Sequence, residues 1–412
     1  MDRTAVPIAV TGIGAVTPVG SGSLVVWEAL LAGRSGISEV ESFDTSAYSV
    51  HRGAEVKGFR PEEHLRRLDP SGVGRASQLA AAAARLALAD AGLDPAELEA
   101  GRGGVAMGTT SGEPLEVERL DDALVAAAGG RAETTPADGF IARYPCHTIA
   151  ASVAEEVGFA GPNLMIPTAC AAGSYAVAHA TDVLRAGRAD VMLAGGADSF
   201  SRITYTGFAR LGAISPDLCR PFDRNRKGMI PGEGAAVLVL EPLDAARRRG
   251  ARVYAEVAGY GLSCDAHHMT GAHPEGQGAA RAMERALAEA GLAPEEVSYV
   301  SAHGTGTPTN DRLETIAFRR VFGDAARRVP VSSVKSMIGH TMGAASAIEA
   351  AVCSLAVHHG AVPPTMNFEE PDPDCDVDCV PNEARQMPVA AAMNNAYAFG
   401  GNNASVIFRR VR

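Results

Sequence analysis

An α/β layered fold follows from two observations. Short apolar, β-branched runs alternate with longer alanine-rich helical stretches, and segments of the first half recur in the same order in the second. Ile8-Ala9-Val10 reads as a strand running into a glycine turn at Thr11-Gly12-Ile13-Gly14. Residues Gln78 to Asp90 carry a helical pattern that Gly92 and Pro95 stop. Asp190 to Gly196 is a continuous apolar run closed by glycines, as a buried strand requires. Ala236 to Leu240 and Val297 to Val300 read as further strands. Pro371-Asp372-Pro373-Asp374 reads as a surface turn, not a linker.

The composition narrows the function. The chain has 412 residues, 46% apolar and 21% charged, enough for two or three domain-sized units around a large core. Forty-eight acidic residues against 37 basic ones give a net charge of −11, which argues against nucleic acid as the main partner. Seven cysteines in a long chain suit reduced thiols better than a disulfide framework. Met1-Asp2-Arg3-Thr4 lacks the basic-then-apolar pattern of a secretory signal. No apolar run reaches the length of a membrane span. A cytoplasmic enzyme is the expectation.

Ala89-Asp90-Ala91-Gly92-Leu93 recurs as Ala288-Glu289-Ala290-Gly291-Leu292. Cys170-Ala171-Ala172-Gly173-Ser174 lines up with His340-Thr341-Met342-Gly343-Ala344, and Gly232 to Val237 with Gly401 to Val406. Three matches in one order imply two homologous halves, the first enlarged between Thr110 and Pro167, with a junction near Arg247 to Gly250. This alignment makes Cys170 and His340 equivalent, each where a strand turns into a helix. A pseudo-twofold axis would then bring both helix starts to one cleft.

Three segments could carry chemistry. Cys170, in Thr168-Ala169-Cys170-Ala171-Ala172-Gly173-Ser174, precedes a helix whose unpaired amides and dipole favour a thiolate. Free cysteines are otherwise mostly small buried hydrophobes, the reading kept for the other six. Cys375 and Cys379 have no second ligand pair, so zinc is not expected there. His303 ends a strand in Ser301-Ala302-His303-Gly304-Thr305-Gly306-Thr307-Pro308. His340 closes Lys335-Ser336-Met337-Ile338-Gly339-His340 ahead of the helix bearing Glu349, where an imidazole tends to stay neutral.

Together these segments resemble the Cys–His–His set of β-ketoacyl-acyl-carrier-protein synthases, the elongating condensing enzymes of fatty-acid and polyketide assembly. The similarity extends to Thr11-Gly12-Ile13-Gly14, Cys219-Arg220-Pro221-Phe222-Asp223, Pro231-Gly232-Glu233-Gly234 and Ala398-Phe399-Gly400-Gly401-Asn402. It implies a duplicated thiolase-like fold in five αβαβα layers. Residues 1–248 would carry the nucleophile and residues 249–412 the two histidines.

The resemblance implies an acyltransferase in which Cys170 takes an acyl group from a carrier protein. His303 and His340 would donate hydrogen bonds during malonyl decarboxylation. The backbone N–H groups of Cys170 and Phe399 would hold the oxyanion, Thr305 and Thr307 the pantetheine arm, and Lys335 with Glu349 would organise the site. Phe399, Gly400 and Gly401 resemble the family's gating loop. Arg60, Arg66 and Arg67 are candidates to dock the acidic carrier. No cofactor of the enzyme's own is expected, because the substrates ride on the carrier's phosphopantetheine. The expected partners are that carrier and a second subunit, as a homodimer or as a heterodimer with a chain-length-factor-like protein.

Departures from the family pattern are Tyr397-Ala398 where Phe-Gly is usual, Ala345-Ser346 in the His340 helix, and the region around Tyr144-Pro145-Cys146-His147. The alternatives are the catalytic subunit of a type II polyketide synthase and, remotely, a non-catalytic protein binding a metal through Cys170, His303 and His340. Gly12-Ile13-Gly14 lacks the third glycine of a dinucleotide site.

Overall fold

The computed structural model describes residues 6–127 and 139–411, so part of the enlarged segment, 128–138, lies outside the described residues. Ten strands form the backbone of one sheet: β1 Ile8–Thr17, β2 Gly103–Gly108, β3 Asn163–Ile166, β4 Val191–Asp198, β5 Gly234–Pro242, β6 Ala255–Cys264, β7 Tyr299–Ser301, β8 Val331–Ser332, β9 Ala391–Tyr397 and β10 Asn402–Arg409. Gly20–Ser21 pairs with β1 as an eleventh strand. Six helices pack on them: α1 Arg75–Ala91, α2 His147–Val157, α3 Ala172–Arg185, α4 Gln277–Ala290, α5 Pro308–Phe322 and α6 Ala345–His359.

The strand order is β8-β7-β9-β10-β6-β1-β5-β4-β2-β3. Each half therefore repeats the same sheet. β2 pairs parallel with β3 and β4, and β7 pairs parallel with β8 and β9. β5 pairs antiparallel with β1 and β4, and β10 with β6 and β9. The halves join where β1 meets β6 antiparallel, with Ile8 opposite Val257 and Val10 opposite Ala255. Helices α1 and α2 cover one half, α4 and α5 the other, and α3 and α6 pack between them. This is the expected αβαβα sandwich. Helix α6 is buried on every side from Ala345 to Val357, as a helix apolar all round must be.

The repeated Ala-Gly-Leu segment has a physical cause. In α1, Gly92 adopts the left-handed conformation at φ 58°, and the amides of Gly92 and Leu93 return to Ala89 and Leu88 at 3.2 and 3.1 Å. In α4, Gly291 does the same at φ 64°, with Leu292 bonded to Leu287 at 3.1 Å. Both ends are Schellman caps, which favour glycine and a following apolar residue.

Two expectations need correction. The chain does not turn at Gly12-Ile13-Gly14: β1 runs on to Thr17, and these glycines lie inside it. They are small because α1 presses on the strand; a Cβ on Gly14 would fall within contact distance of Ala83 O, and one on Gly261 of β6 would meet Ala282 O of α4. Helix α1 also begins earlier than Gln78. Its first amides, Ala76 at 3.1 Å and Ser77 at 2.7 Å, donate to the Glu113 carboxylate, a cap supplied from elsewhere in the chain. Among the described residues no helix is long and apolar enough to cross a membrane.

Gly14→Ala and Gly261→Ala should each destabilise the fold by about 1–3 kcal/mol, the usual cost of overpacking. Thermal unfolding checks this; unchanged midpoints in both would show that the strand–helix approach is not tight.

Candidate active site

Two matched tight turns frame the place where Cys170 and His340 meet. Ala169–Ala171 forms a 3-10 turn leading into α3, and Met342–Ala344 forms the matching turn leading into α6. Each opens on a non-glycine residue in the left-handed region, Ala169 at φ 52° and Met342 at φ 54°. Cys170 thus corresponds to Gly343 and not to His340, which lies just upstream. The alignment read from sequence slipped because both stretches are rich in alanine and glycine. The convergence it pointed to is present. Ser174 N donates to Ser346 Oγ at 3.1 Å across the two central helices. Asn394 of β9 ties Ser346 O at 2.8 Å and Ser174 Oγ at 3.3 Å.

Cys170, His303 and His340 are each buried, and their sulfur and ring nitrogens lie within 4.8 Å of one another. The two imidazoles meet edge to face with centroids 5.5 Å apart. His303 leaves β7 on a loop that Glu314 of α5 holds from below, accepting from His303 N at 2.8 Å and Gly304 N at 2.7 Å. Met342 N donates to His340 Nδ1 at 3.2 Å, which leaves the proton of the neutral ring on Nε2. Lys335 Nζ donates to Glu349 Oε1 with both side chains withdrawn from water.

A cleft of about 370 Å³ leads to these groups. Thr305, Thr307, Tyr397, Phe208, Leu211 and Phe399 are among the residues that line it. Thr307 also caps α5, and its hydroxyl lies 2.9 Å from that of Thr305. Phe399 is 40% exposed and packs 5.8 Å from Phe208. Next to it Gly400 adopts φ 83°, and its amide donates to Met269 O at 2.8 Å. Arg60, Arg66 and Arg67 are exposed but do not line the cleft. Arg60 sits 3.7 Å from Glu63, and the amides of Arg66 and Arg67 donate to Glu156.

The electrostatics correct one expectation. Burial pushes the Cys170 thiol up to about 12, and the nearby Lys335 ammonium only partly offsets it. The turn's dipole does not yield a resting thiolate here, because desolvation of a charged sulfur outweighs it. Both imidazoles are uncharged, as expected for His340 but for a different reason. Burial first, then Lys335, holds both well below the usual histidine range. Burial also lifts Glu314 and Glu349 to about 7 and Asp198 to about 6. At neutral pH the thiol and both imidazoles are uncharged.

Sequence reasoning missed two carboxylates that shape this site. Asp198, at the end of β4, accepts from Thr110 N and Ser111 N at 2.8 Å and from Gly343 N at 2.7 Å, tying the first half to the turn after His340. Glu314 holds the His303 loop. The signal for Asp198 was a lone acid ending an apolar run; Glu314 looked like any polar residue in the first turns of a helix.

The comparisons with known proteins agree with this geometry. The beta-ketoacyl synthase N-terminal domain matches residues 5–246, and the corresponding C-terminal domain matches residues 254–369. The chain belongs to the beta-ketoacyl synthase family. It is 42% identical to the tetracenomycin polyketide synthase ketoacyl synthase alpha subunit of Streptomyces glaucescens, over 98% of this chain and 97% of that one. It is 39% identical to 3-oxoacyl-[acyl-carrier-protein] synthase 2 of Staphylococcus aureus (strain COL), over 98% of both. Among solved structures, the ishigamide ketosynthase/chain length factor superposes with a TM-score of 0.94 at 41% identity, covering 99% of this chain and all of that one. Like its family, the chain is an acyltransferase that forms carbon–carbon bonds by condensation.

Between pH 7 and 9 the rate of Cys170 alkylation by a small neutral reagent should climb about tenfold per pH unit without levelling. Peptide mass analysis of Cys170 against time checks this. A plateau below pH 8 would mean that a thiolate stands ready in the resting site.

Proposed function

We propose that this chain joins an acyl group held on Cys170 to a malonyl group held on a carrier protein, with loss of CO2. The observation that carries this reading is the meeting of one thiol and two uncharged imidazoles at the base of a single cleft. In the first half-reaction the Cys170 sulfur attacks the carrier thioester, and the carrier thiol leaves with the proton the cysteine gave up. In the second, the bond from the malonyl carbon to its carboxylate breaks. CO2 leaves, and the electron pair remains as an enolate whose oxygen accepts from His303 and His340. The enolate carbon then attacks the acyl carbonyl. Cys170 leaves as a thiolate and takes up a proton, and the product stays on the carrier.

Neutral imidazoles suit this role, since each keeps an N–H to donate without a charge that burial would penalise. The amides of Cys170 and Phe399 take the oxyanion in both steps. Those of Gly400 and Gly401 already bond Met269 O and Ala398 O. Thr305 and Thr307 line the cleft at a position suited to the amides of a pantetheine arm. Lys335 and Glu349, paired away from water, organise the site. Phe399, on the loop with Gly400 and Gly401, gates the cleft. Arg60, Arg66 and Arg67 offer exposed cations to an acidic carrier. Substrates already activated as thioesters require no resident cofactor.

A metal held by Cys170, His303 and His340 would claim the sulfur needed as nucleophile, and His340 Nδ1 already accepts the Met342 amide. Residues 1–248 and 249–412 are two halves that supply the thiol and the imidazoles respectively. A partner subunit fits the open edge of β3, where Leu164 is 40% exposed. The partner is a second copy if the enzyme builds fatty acids, or a chain-length-factor-like subunit if it builds polyketides.

His303→Ala and His340→Ala should each lower kcat for malonyl decarboxylation by about 10²–10³, while acyl transfer to Cys170 persists. Intact-mass analysis of carrier-bound products, with and without a candidate partner, measures both steps. Decarboxylation at the normal rate in both variants would overturn the roles given to these histidines. Product from the chain alone across saturated acyl carriers supports the fatty-acid assignment, and product only with the partner supports the polyketide one.

A further inference from the structure

Two neighbouring side chains at the cleft each hold a polar atom away from water without a partner. One is His303, whose Nδ1 is buried and unbonded. Glu314 engages the backbone amides of His303 and Gly304 but not the ring. The other is Tyr397, 8% exposed, whose hydroxyl is likewise buried and unbonded. The two rings face each other at 65° with centroids 5.8 Å apart, and both residues line the cleft.

An unmade hydrogen bond on a buried group costs about 1–3 kcal/mol, so two such groups side by side call for an explanation. Their chemistry is complementary. A neutral imidazole has one nitrogen that can only accept, and a phenol can donate. Burial, with Glu314 and Asp265 nearby, keeps the Tyr397 phenol protonated well above its ordinary range. The companion histidine is already settled: Met342 N fixes the His340 tautomer. Among the described residues no backbone group does so for His303. The aromatic ring at 397 is where this chain carries Tyr in place of the family's usual Phe, so the hydroxyl is the added feature.

We infer that the Tyr397 hydroxyl donates to His303 Nδ1 in the working enzyme, directly or across one trapped water, and so keeps that ring's proton on Nε2 for the enolate oxygen. Tyr397 is then a positioning residue that acts through His303. In the opposite tautomer Nε2 would present a lone pair to a developing negative oxygen, and that fraction of enzyme would be idle. The inference rests on the reading of His303 as a hydrogen-bond donor to the enolate.

The test compares Tyr397→Phe with His303→Ala in the full-length enzyme. Tyr397→Phe should lower kcat for malonyl decarboxylation about three- to tenfold, the worth of one net hydrogen bond. KM for the malonyl carrier and the rate of Cys170 acylation should not change, and the thermal midpoint should hold or rise. In enzyme carrying 15N-labelled histidine, the signals lost in His303→Ala assign the ring. They should show a bare Nδ1 and a protonated Nε2 in the parent and a shifted tautomer mixture in Tyr397→Phe. Parent-like kcat and tautomer in Tyr397→Phe, with decarboxylation lost in His303→Ala, would overturn this inference and leave the role of His303 standing. Decarboxylation retained in His303→Ala would overturn both. A fall in midpoint together with slower acylation would make the hydroxyl structural and overturn the inference as well.

Discussion

Lys335 and Glu349 meet in a place that water does not reach, and the site is built around that buried pair. Leaving either charge alone there would be strongly destabilising, about 3–5 kcal/mol. The pair is therefore made or the surrounding structure is not. Its ammonium is also the cation felt by all three reactive groups. It draws the Cys170 thiol down against burial and helps to keep His303 and His340 uncharged. Burial thus sets the protonation of the cleft, a thiol and two neutral imidazoles, while this one charge reinforces it at the histidines and opposes it at the sulfur.

The duplicated fold supplies the geometry. The two halves of the sheet have the same topology and meet at β1 and β6, and the helices between them, α3 and α6, start from matched turns that touch. The polar ties at this meeting point join residues from distant parts of the chain. Ser174 and Ser346 link the helices, and Asp198 crosses from the first half to the turn after His340. Each turn opens on a left-handed non-glycine residue, a strain of order 1–3 kcal/mol that the packed surroundings must hold in place. A cleft at this junction receives one reactive group from the first half and two from the second.

Much of this was legible in the amino-acid order, and the rest failed for physical reasons. The strand–turn–helix punctuation and the two Schellman caps are local, so Gly92 and Gly291 announced them. The three reactive residues sit in short contiguous motifs, and those too could be read. Partners distant in sequence could not. The start of α1 depends on Glu113, and Gly12 and Gly14 looked like a turn because the helix pressing on them is invisible in one dimension. The thiolate expected at Cys170 came from weighing a turn's dipole without the burial that opposes it. Asp198 and Glu314 are ordinary acids until the backbone amides they hold are placed around them.

In the proposed reaction a long flexible arm threads the cleft and reaches a sulfur that bulk solvent barely touches. A carrier protein whose phosphopantetheine ends in a thiol-reactive group tests it most directly, with peptide mapping of the cross-linked cysteine. Cys264 provides the internal control, since it is exposed and lies 3.7 Å from Gly400 O, next to Phe399. The expected result is a single adduct on Cys170, formed in preference to the more accessible thiol. Adducts that favour Cys264, or a Cys170 left unmodified at saturating carrier, would contradict the account.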